Sequence, residues 1–282
     1  MTTLRDAIDS AAAVFADAGI DSARYDAEAL AAHLAGTDRG RLALLAPPDA
    51  DFFWRYRDLV AARSARIPLQ HLIGTAPFGP VTVQVGPGVF TPRPETEAML
   101  EWALKQAAAQ PLSLIVDACT GSGALAIALA HSLPGARVLA VENSQAALDY
   151  ARRNCAGTSV ELIDADVTAP GLLSQFDGRV DLLVSNPPYI PDGAVLDPEV
   201  AQHDPAQALF GGPDGMSVIV PLAALAARLL RVGGLVAIEH DDTTSEATVA
   251  ALLDTGCFQD AAPRTDLAGR PRFVTAVRNG QP

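Results

Sequence analysis

From residue 112 to the C-terminus, short apolar runs alternate with stretches of helical period, and this alternation limits the possible folds more than any other feature. It predicts strands over 112–116, 137–141, 160–163, 180–185, 235–238 and 273–277. Between them it predicts helices over 124–132, 146–154, 217–230 and 244–253. Strands that alternate with helices imply a mainly parallel sheet covered on both faces. In such an open α/β sheet a ligand collects outside the carboxyl ends of the strands, near the point where the strand order reverses. The loops at those ends are where the chemistry is expected.

The first 90 residues read differently. Leu4, Ile8, Ala11, Phe15 and Ala18 share one face of a helix that Gly19 can close. Ser22 is placed to cap a second helix with Tyr25, Leu30 and Leu34 as its apolar stripe. A third, over 51–66, turns Phe52, Tyr56, Leu59 and Val60 inward. Its Arg55, Arg57, Arg63 and Arg66 read as a solvated face, with an acidic partner as the alternative. Residues 76–90 fit a β-hairpin: Val81–Val85 alternates, and Gly86-Pro87-Gly88 is turn chemistry leading to Val89 and Phe90. Thr91-Pro-Arg-Pro-Glu-Thr-Glu97 then opens a helix, with Pro94 in the tolerated first turn and Glu95 and Glu97 near the positive end. The expected organisation is a helical domain over residues 1–75, a hairpin linker over 76–90 and an α/β domain over 91–282.

Charge narrows the function classes. Acidic residues outnumber basic ones 33 to 20, and a surface short of Lys and Arg is a poor receptor for a phosphate backbone. A protein partner or a small charged ligand fits better, and no direct nucleic-acid contact is expected. There is no charged-then-apolar signal pattern and no apolar run of about 18 residues to span a bilayer, so a cytoplasmic protein without a membrane partner is expected. Cys119, Cys155 and Cys257 lie far apart without metal-ligand spacing, and the five histidines are scattered. Reduced thiols and no metal site follow.

Three loops at predicted strand ends carry candidate binding residues. In Asp117-Ala-Cys-Thr-Gly-Ser-Gly123, Gly121 and Gly123 let the backbone turn tightly beside a helix N-terminus; a purely structural turn has the same glycines. Glu142 ends the second strand, where an acid can accept hydrogen bonds from both ribose hydroxyls or simply cap the helix near Ser144. Asp166, followed by Val167, is placed to hold an adenine, with a plain loop aspartate as the alternative. Loop and acid together point to a nucleoside cofactor, without separating a nicotinamide from S-adenosyl-L-methionine.

The fourth strand decides between chemistries. It stops on Asn186-Pro-Pro-Tyr189, where two prolines remove two backbone donors and stiffen the turn. The Asn186 side-chain oxygen and the Pro187 carbonyl can both accept from a substrate NH2 group. An amide nitrogen is a poor nucleophile because its lone pair is delocalised, so holding it in line with an electrophilic carbon is the main help a protein can give. Tyr189 is placed to pack on a flat amide.

With these residues assembled, the chain resembles the class I S-adenosyl-L-methionine-dependent methyltransferases. More closely it resembles the protein-(glutamine-N5) methyltransferases of the HemK family, which modify the Gly-Gly-Gln glutamine of peptide chain release factors. The resemblance rests on Pro68-Leu-Gln-His-Leu72 with Gly74, on Thr91–Glu97, on Asn186-Pro-Pro-Tyr-Ile190, on Asp204-Pro and Leu209-Phe-Gly-Gly-Pro-Asp-Gly215, and on Glu239-His240. It implies a Rossmann-like sheet with a small N-terminal substrate-recognition domain and a release factor as partner, so that the enzyme modulates translation termination. It further implies that Cys119, Thr120, Gly121, Ser122 and Gly123 hold the cofactor's methionine end, Glu142 its ribose, and Asp166 and Val167 its adenine. Asn186 meets both cofactor and glutamine, with Pro187, Pro188 and Tyr189 completing the acceptor site. Two positions depart from the family pattern. Cys119 stands where glycine is usual and fits only if its backbone avoids positive φ; Glu142 stands where aspartate is common and can still reach a ribose. An amino methyltransferase acting on adenine or guanine of RNA or DNA is the alternative, because an exocyclic amine presents the same NH2 geometry once the base is extruded.

Overall fold

The computed structural model of the chain describes residues 3–266 and 268–280. Its first compact unit runs to Thr75 and takes in Leu196–His203 from later in the chain. Thr3 and Asp6 form a reciprocal capping box that starts α1 (Leu4–Asp17), and Ile8, Ala11 and Phe15 are buried on one face as the period predicts. Gly36 closes α2 (Ala23–Ala35) in the left-handed conformation. Ser22 does not cap α2 through the backbone; its hydroxyl donates to Asp26 Oδ1 at 2.8 Å.

The stripe of α2 also differs from the expected one, since Tyr25 is exposed while Asp26 is buried with Leu30. The cause is electrostatic. From α3 (Ala50–Ser64), Tyr56 turns inward as expected, but so does Arg63, which is only 3% exposed. Arg63 Nε donates to Asp26 Oδ2 at 2.7 Å and its Nη2 to Glu199 Oε1 at 2.8 Å. This arginine is therefore a buried cation between two carboxylates rather than part of a solvated face. Arg66 likewise pairs with Asp197 at 3.2 Å. A short helix absent from the prediction, α4 (Leu69–Ile73), ends on a left-handed Gly74.

The second unit begins at Ala76 within β1 (Thr75–Phe78), which forms the hairpin with β2 (Val81–Gln84). Its turn lies at Gly79 and Pro80, not at Gly86-Pro87-Gly88, so the expected span of 76–90 is displaced towards the N-terminus. Phe78, Val83 and Val85 bury their side chains in one core cluster with Met99 and Leu100 of α5 (Pro94–Ala109), which carries Pro94 in its first turn as expected. The chain then gives β3 (Leu114–Ala118), α6 (Ala124–Ser132), β4 (Arg137–Glu142), α7 (Gln145–Cys155), β5 (Val160–Asp164) and β6 (Val180–Ser185). After α8 (Pro198–His203) of the first unit and α9 (Ala206–Leu209) come α10 (Ile219–Leu229), β7 (Leu230–Glu239), α11 (Ser245–Leu253), β8 (Phe258–Thr265) and β9 (Pro271–Arg278).

The seven-stranded sheet has the order β5-β4-β3-β6-β7-β9-β8. Its first five strands are parallel and β9 is antiparallel to both neighbours. Successive strand residues feed opposite faces. Ile115 and Leu182 join the cluster under α5 and α6, whereas Val116 and Leu183 join the one under α10 and α11. Every residue of β6 is buried, as a strand covered on both faces requires. The unpredicted β8 is an edge strand with Gln259, Asp260, Pro263 and Arg264, a composition that protects an edge but carries no apolar signal.

Removing one partner of a buried ion pair strands the other charge, at a cost of about 3–5 kcal/mol. Arg63→Ala is thus expected to lower stability by about that amount in urea unfolding, whereas exposed Arg55→Ala changes it by less than about 0.5 kcal/mol.

Candidate active site

The strand order reverses between β3 and β6, and the register there decides which loops meet. Ala118 pairs with Val141 on one side and with Ser185 on the other, and Ser185 in turn pairs with Ile238. One step further along, Glu142, Cys119, Asn186 and Glu239 stand in a row across four adjacent strand ends. Glu142 itself pairs with Asp164 of β5, which sets Asp166 just beyond. Features far apart in the sequence thus share one edge. Ser185 Oγ ties the central two strands by donating to the Ala118 carbonyl at 2.7 Å.

The glycine loop is held from both sides. Gly121 N–H donates to Glu142 Oε2 at 2.8 Å, while Asn143 and Ser144 N–H donate to Oε1 at 3.0 and 2.9 Å. Glu142 is therefore buried and braces the loop as well as facing the cavity. Behind the loop, Asp117 accepts from Thr120 Oγ1 at 2.5 Å and from Ala126 N–H at 3.1 Å. It serves as the cap that Gly123 cannot provide for α6, having no side chain. Burial pushes the Asp117 carboxyl up to about 7. Asp166 closes a local turn by accepting from Thr168 N–H and Oγ1, both at 2.7 Å, and these bonds hold its carboxyl below the usual range.

Cys119 corrects an expectation. Its φ is +60°, so the loop does take the left-handed conformation that the family's glycine suits and that a thiol side chain fits poorly. The strain is on the order of 1 kcal/mol. Burial raises the thiol's pKa, which keeps it protonated.

On the other side of the reversal, Asn186 Nδ2 donates to Thr96 Oγ1 at 3.2 Å, and Thr96 Oγ1 donates to Glu239 Oε2 at 2.8 Å. Tyr189 O–H donates to the second oxygen, Glu239 Oε1, at 3.0 Å. Burial pushes Glu239 up to about 7.

These loops enclose a cavity of about 320 Å³. Cys119, Thr120, Gly121, Ser122, Glu142, Asp166, Val167, Asn186 and Pro188 all line it. Gly123, Pro187 and Tyr189 do not: Gly123 sits behind the loop at the start of α6, Pro187 is buried, and the Tyr189 ring packs on the sheet core. Thr96, Phe90, Pro92, Gln207 and Phe210, none of which carries an individual sequence expectation, also line the cavity. The signal for all but Gln207 lay in the Thr91–Glu97 and Leu209–Gly215 motifs that contain or adjoin them, and Gln207 lies between Asp204-Pro205 and the second of these. Three acids, Asp117, Glu142 and Asp166, face the cavity, and no Lys, Arg or His is among its lining residues. Such a lining suits a cationic nucleoside such as a sulfonium and disfavours the pyrophosphate of a dinucleotide.

A parallel sheet reversing between its first and fourth strands, with an acid-lined cavity at that point, is the architecture of a class I methyltransferase. A solved 16S rRNA N2 methyltransferase from T. thermophilus, in complex with AdoMet and guanosine, shares this fold with a TM-score of 0.51 at 21% identity, over 73% of this chain and 50% of that one. The model of the PrmC N-terminal domain matches residues 6–74, and that of the methyltransferase small domain matches residues 81–208. The release factor glutamine methyltransferase of Mycobacterium tuberculosis H37Rv is 66% identical over 99% of this chain and 92% of its own length. That of Mycolicibacterium smegmatis is 64% identical over 99% of both. The chain belongs to the release factor glutamine methyltransferase family.

An acid whose folded pKa is raised contributes stability that is fully present below its unfolded pKa and is lost as pH rises through the folded value. For Asp117 that window runs from 3.8 to about 7. Wild type measured against Asp117→Asn is therefore expected to lose relative stability steadily across it, as urea midpoints at a series of pH values would record. At position 119, Cys119→Val places a β-branched side chain at positive φ and is expected to be at least about 2 kcal/mol less stable than Cys119→Gly.

Proposed function

We propose that the protein transfers the methyl group of S-adenosyl-L-methionine to the side-chain amide nitrogen (N5) of the glutamine in the Gly-Gly-Gln motif of a peptide chain release factor, so modulating translation termination. The acceptor is a protein in the cytoplasm rather than a nucleic acid, in keeping with 33 acidic against 20 basic residues. No helix among the described residues is long and apolar enough to cross a membrane. The observation that carries the reading is the juxtaposition of an acid-lined cavity with the Asn186 amide at the reversal of the sheet.

The bound cofactor supplies an electrophilic methyl group on a sulfonium. Cys119, Thr120, Gly121, Ser122 and Gly123 form the loop assigned to its methionine end. Glu142, already fixed by three backbone N–H groups, has about one lone-pair site left, on Oε2, to offer a ribose hydroxyl. Asp166 and Val167 are assigned to the adenine.

Asn186 orients the acceptor. Its Nδ2 is committed to Thr96, so its Oδ1 is left to accept from the glutamine NH2, with the Pro187 carbonyl as the second acceptor. Pro188 lines the wall, and Tyr189 supports the turn from behind. Two acceptors facing two N–H bonds fix the plane of the amide and aim its nitrogen, which is the positioning a weak nucleophile needs. No strong base is required at the nitrogen, because the methylated, protonated amide is itself acidic and releases its proton readily.

The N-terminal helical unit, residues 1–75, is assigned to recognition of the release factor. Within that unit an open groove lined by Leu4, Val14, Phe53 and Trp54 offers apolar surface, with Trp54 exposed.

Incubation with methyl-labelled cofactor and a bacterial release factor is expected to place label on the Gly-Gly-Gln glutamine; a folded enzyme that labels only RNA would overturn the reading. Asn186→Ala is expected to lower kcat at least about a hundredfold while cofactor affinity changes far less.

A further inference from the structure

Glu239 belongs to none of the binding roles above, yet it is 2% exposed and accepts from Tyr189 of the Asn186 turn and from Thr96 in the first turn of α5. We infer that Glu239 and Thr96 are positioning residues, which together fix which end of the Asn186 side-chain amide faces the cavity. The inference rests on the reading that Asn186 Oδ1 receives the acceptor NH2.

An ionised carboxylate only accepts, so the Thr96 hydroxyl must spend its single proton on Glu239 Oε2, 2.8 Å away. The Thr96 oxygen can then only accept from its other neighbour. The part of Asn186 that faces it must be the NH2 group, found at 3.2 Å. Oδ1 is thereby turned to the acceptor. A protonated Glu239 reverses the chain. It can donate to Thr96, releasing the Thr96 proton to donate to the amide oxygen, and the overturned amide would then present NH2 to the glutamine NH2. Two donors would face each other and orientation would be lost.

The surroundings tie the carboxylate's charge to this task. Glu239 follows Ile238, the register partner of Ser185, so its backbone stands level with Asn186. Around it lie Thr96 and Glu95 of α5, Tyr189 of the turn and Arg272 of β9. Arg272 reaches Asp242 at 3.4 Å and Asp266 at 3.8 Å, and Glu239 is followed in the chain by His240, whose pKa burial lowers. Arg272 is thus shared with other acids, and among the described residues no side chain with a fixed positive charge donates a hydrogen bond directly to Glu239. Its hydrogen-bonding capacity is left for the two hydroxyls.

The test compares Thr96→Val, Thr96→Ser and Glu239→Gln with wild type on a release factor. Thr96→Val keeps the volume but not the hydroxyl; kcat is expected to fall about tenfold or more with cofactor Kd within about twofold of wild type. Thr96→Ser restores the hydroxyl and is expected to recover kcat to within about threefold of wild type. Wild-type kcat is expected to rise with pH as Glu239 ionises, and Glu239→Gln to lose that limb while remaining slower. Full kcat in Thr96→Val, or Thr96→Ser as impaired as Thr96→Val, overturns the inference. Failure of wild type to label the release factor would instead count against the proposed function. The positioning role is then still read from the Asn186 side-chain amide NMR signals. These are expected to move in Thr96→Val and Glu239→Gln and to stay near wild type in Thr96→Ser; unmoved signals in the first two overturn it.

Discussion

Everything at the site depends on the register of three parallel strand pairings. Once Val141, Ala118, Ser185 and Ile238 are level, the next residue of each strand stands at the same edge. That edge carries an acid, a left-handed cysteine, an amide and a second acid. A one-residue slip would turn each of these side chains to the opposite face of the sheet and empty the edge of its chemistry. The register is held where slipping is most costly, in β6, whose six residues are all buried and whose two faces belong to separate apolar clusters.

From this edge the two acids do complementary work. Glu142 binds three backbone N–H groups and so fixes the shape of the glycine loop from the neighbouring strand. Glu239 binds two hydroxyls and so fixes the turn that carries Asn186. In each case a carboxylate that accepts in several directions stiffens a loop that lacks regular structure of its own. A cavity wall made of such loops is preorganised, and preorganisation is what a reaction at a weak nitrogen nucleophile requires. The strain at Cys119 is tolerated within the same frame, because Thr120 N–H donates to the Val141 carbonyl immediately after it.

Much of this was legible in the sequence, for physical reasons. The switch in periodicity at residue 112 announced the parallel sheet, since buried strands and covering helices must each show their own period. The helix over Ala124–Ser132 and the strand over Val180–Ser185 appear with the predicted bounds. Asn186, Glu142 and Asp166 declared themselves by standing at predicted strand ends. What was illegible depends on long-range pairing. Arg63 looked solvated because its partners Asp26 and Glu199 stand 37 and 136 residues away. Thr96 looked like an ordinary first-turn residue because Glu239 lies 143 residues on. The edge strand β8 is polar by its position, so an apolar pattern had nothing to detect. The hairpin was displaced because Gly79-Pro80 and Gly86-Pro87 carry the same turn chemistry, and only packing of Phe78 and Val83 into the core selects the first.

The row of strand ends is proposed to hold the acceptor amide against Asn186 and the cofactor against Glu142. A crystal structure with S-adenosylhomocysteine and a release factor, or a peptide carrying its Gly-Gly-Gln segment, tests it most directly. Expected are a ribose hydroxyl on Glu142 and the glutamine nitrogen within hydrogen-bond distance of Asn186 Oδ1, with Asn186 Nδ2 still on Thr96. A glutamine bound away from Asn186, or an Asn186 amide turned so that its NH2 faces the glutamine, would contradict it.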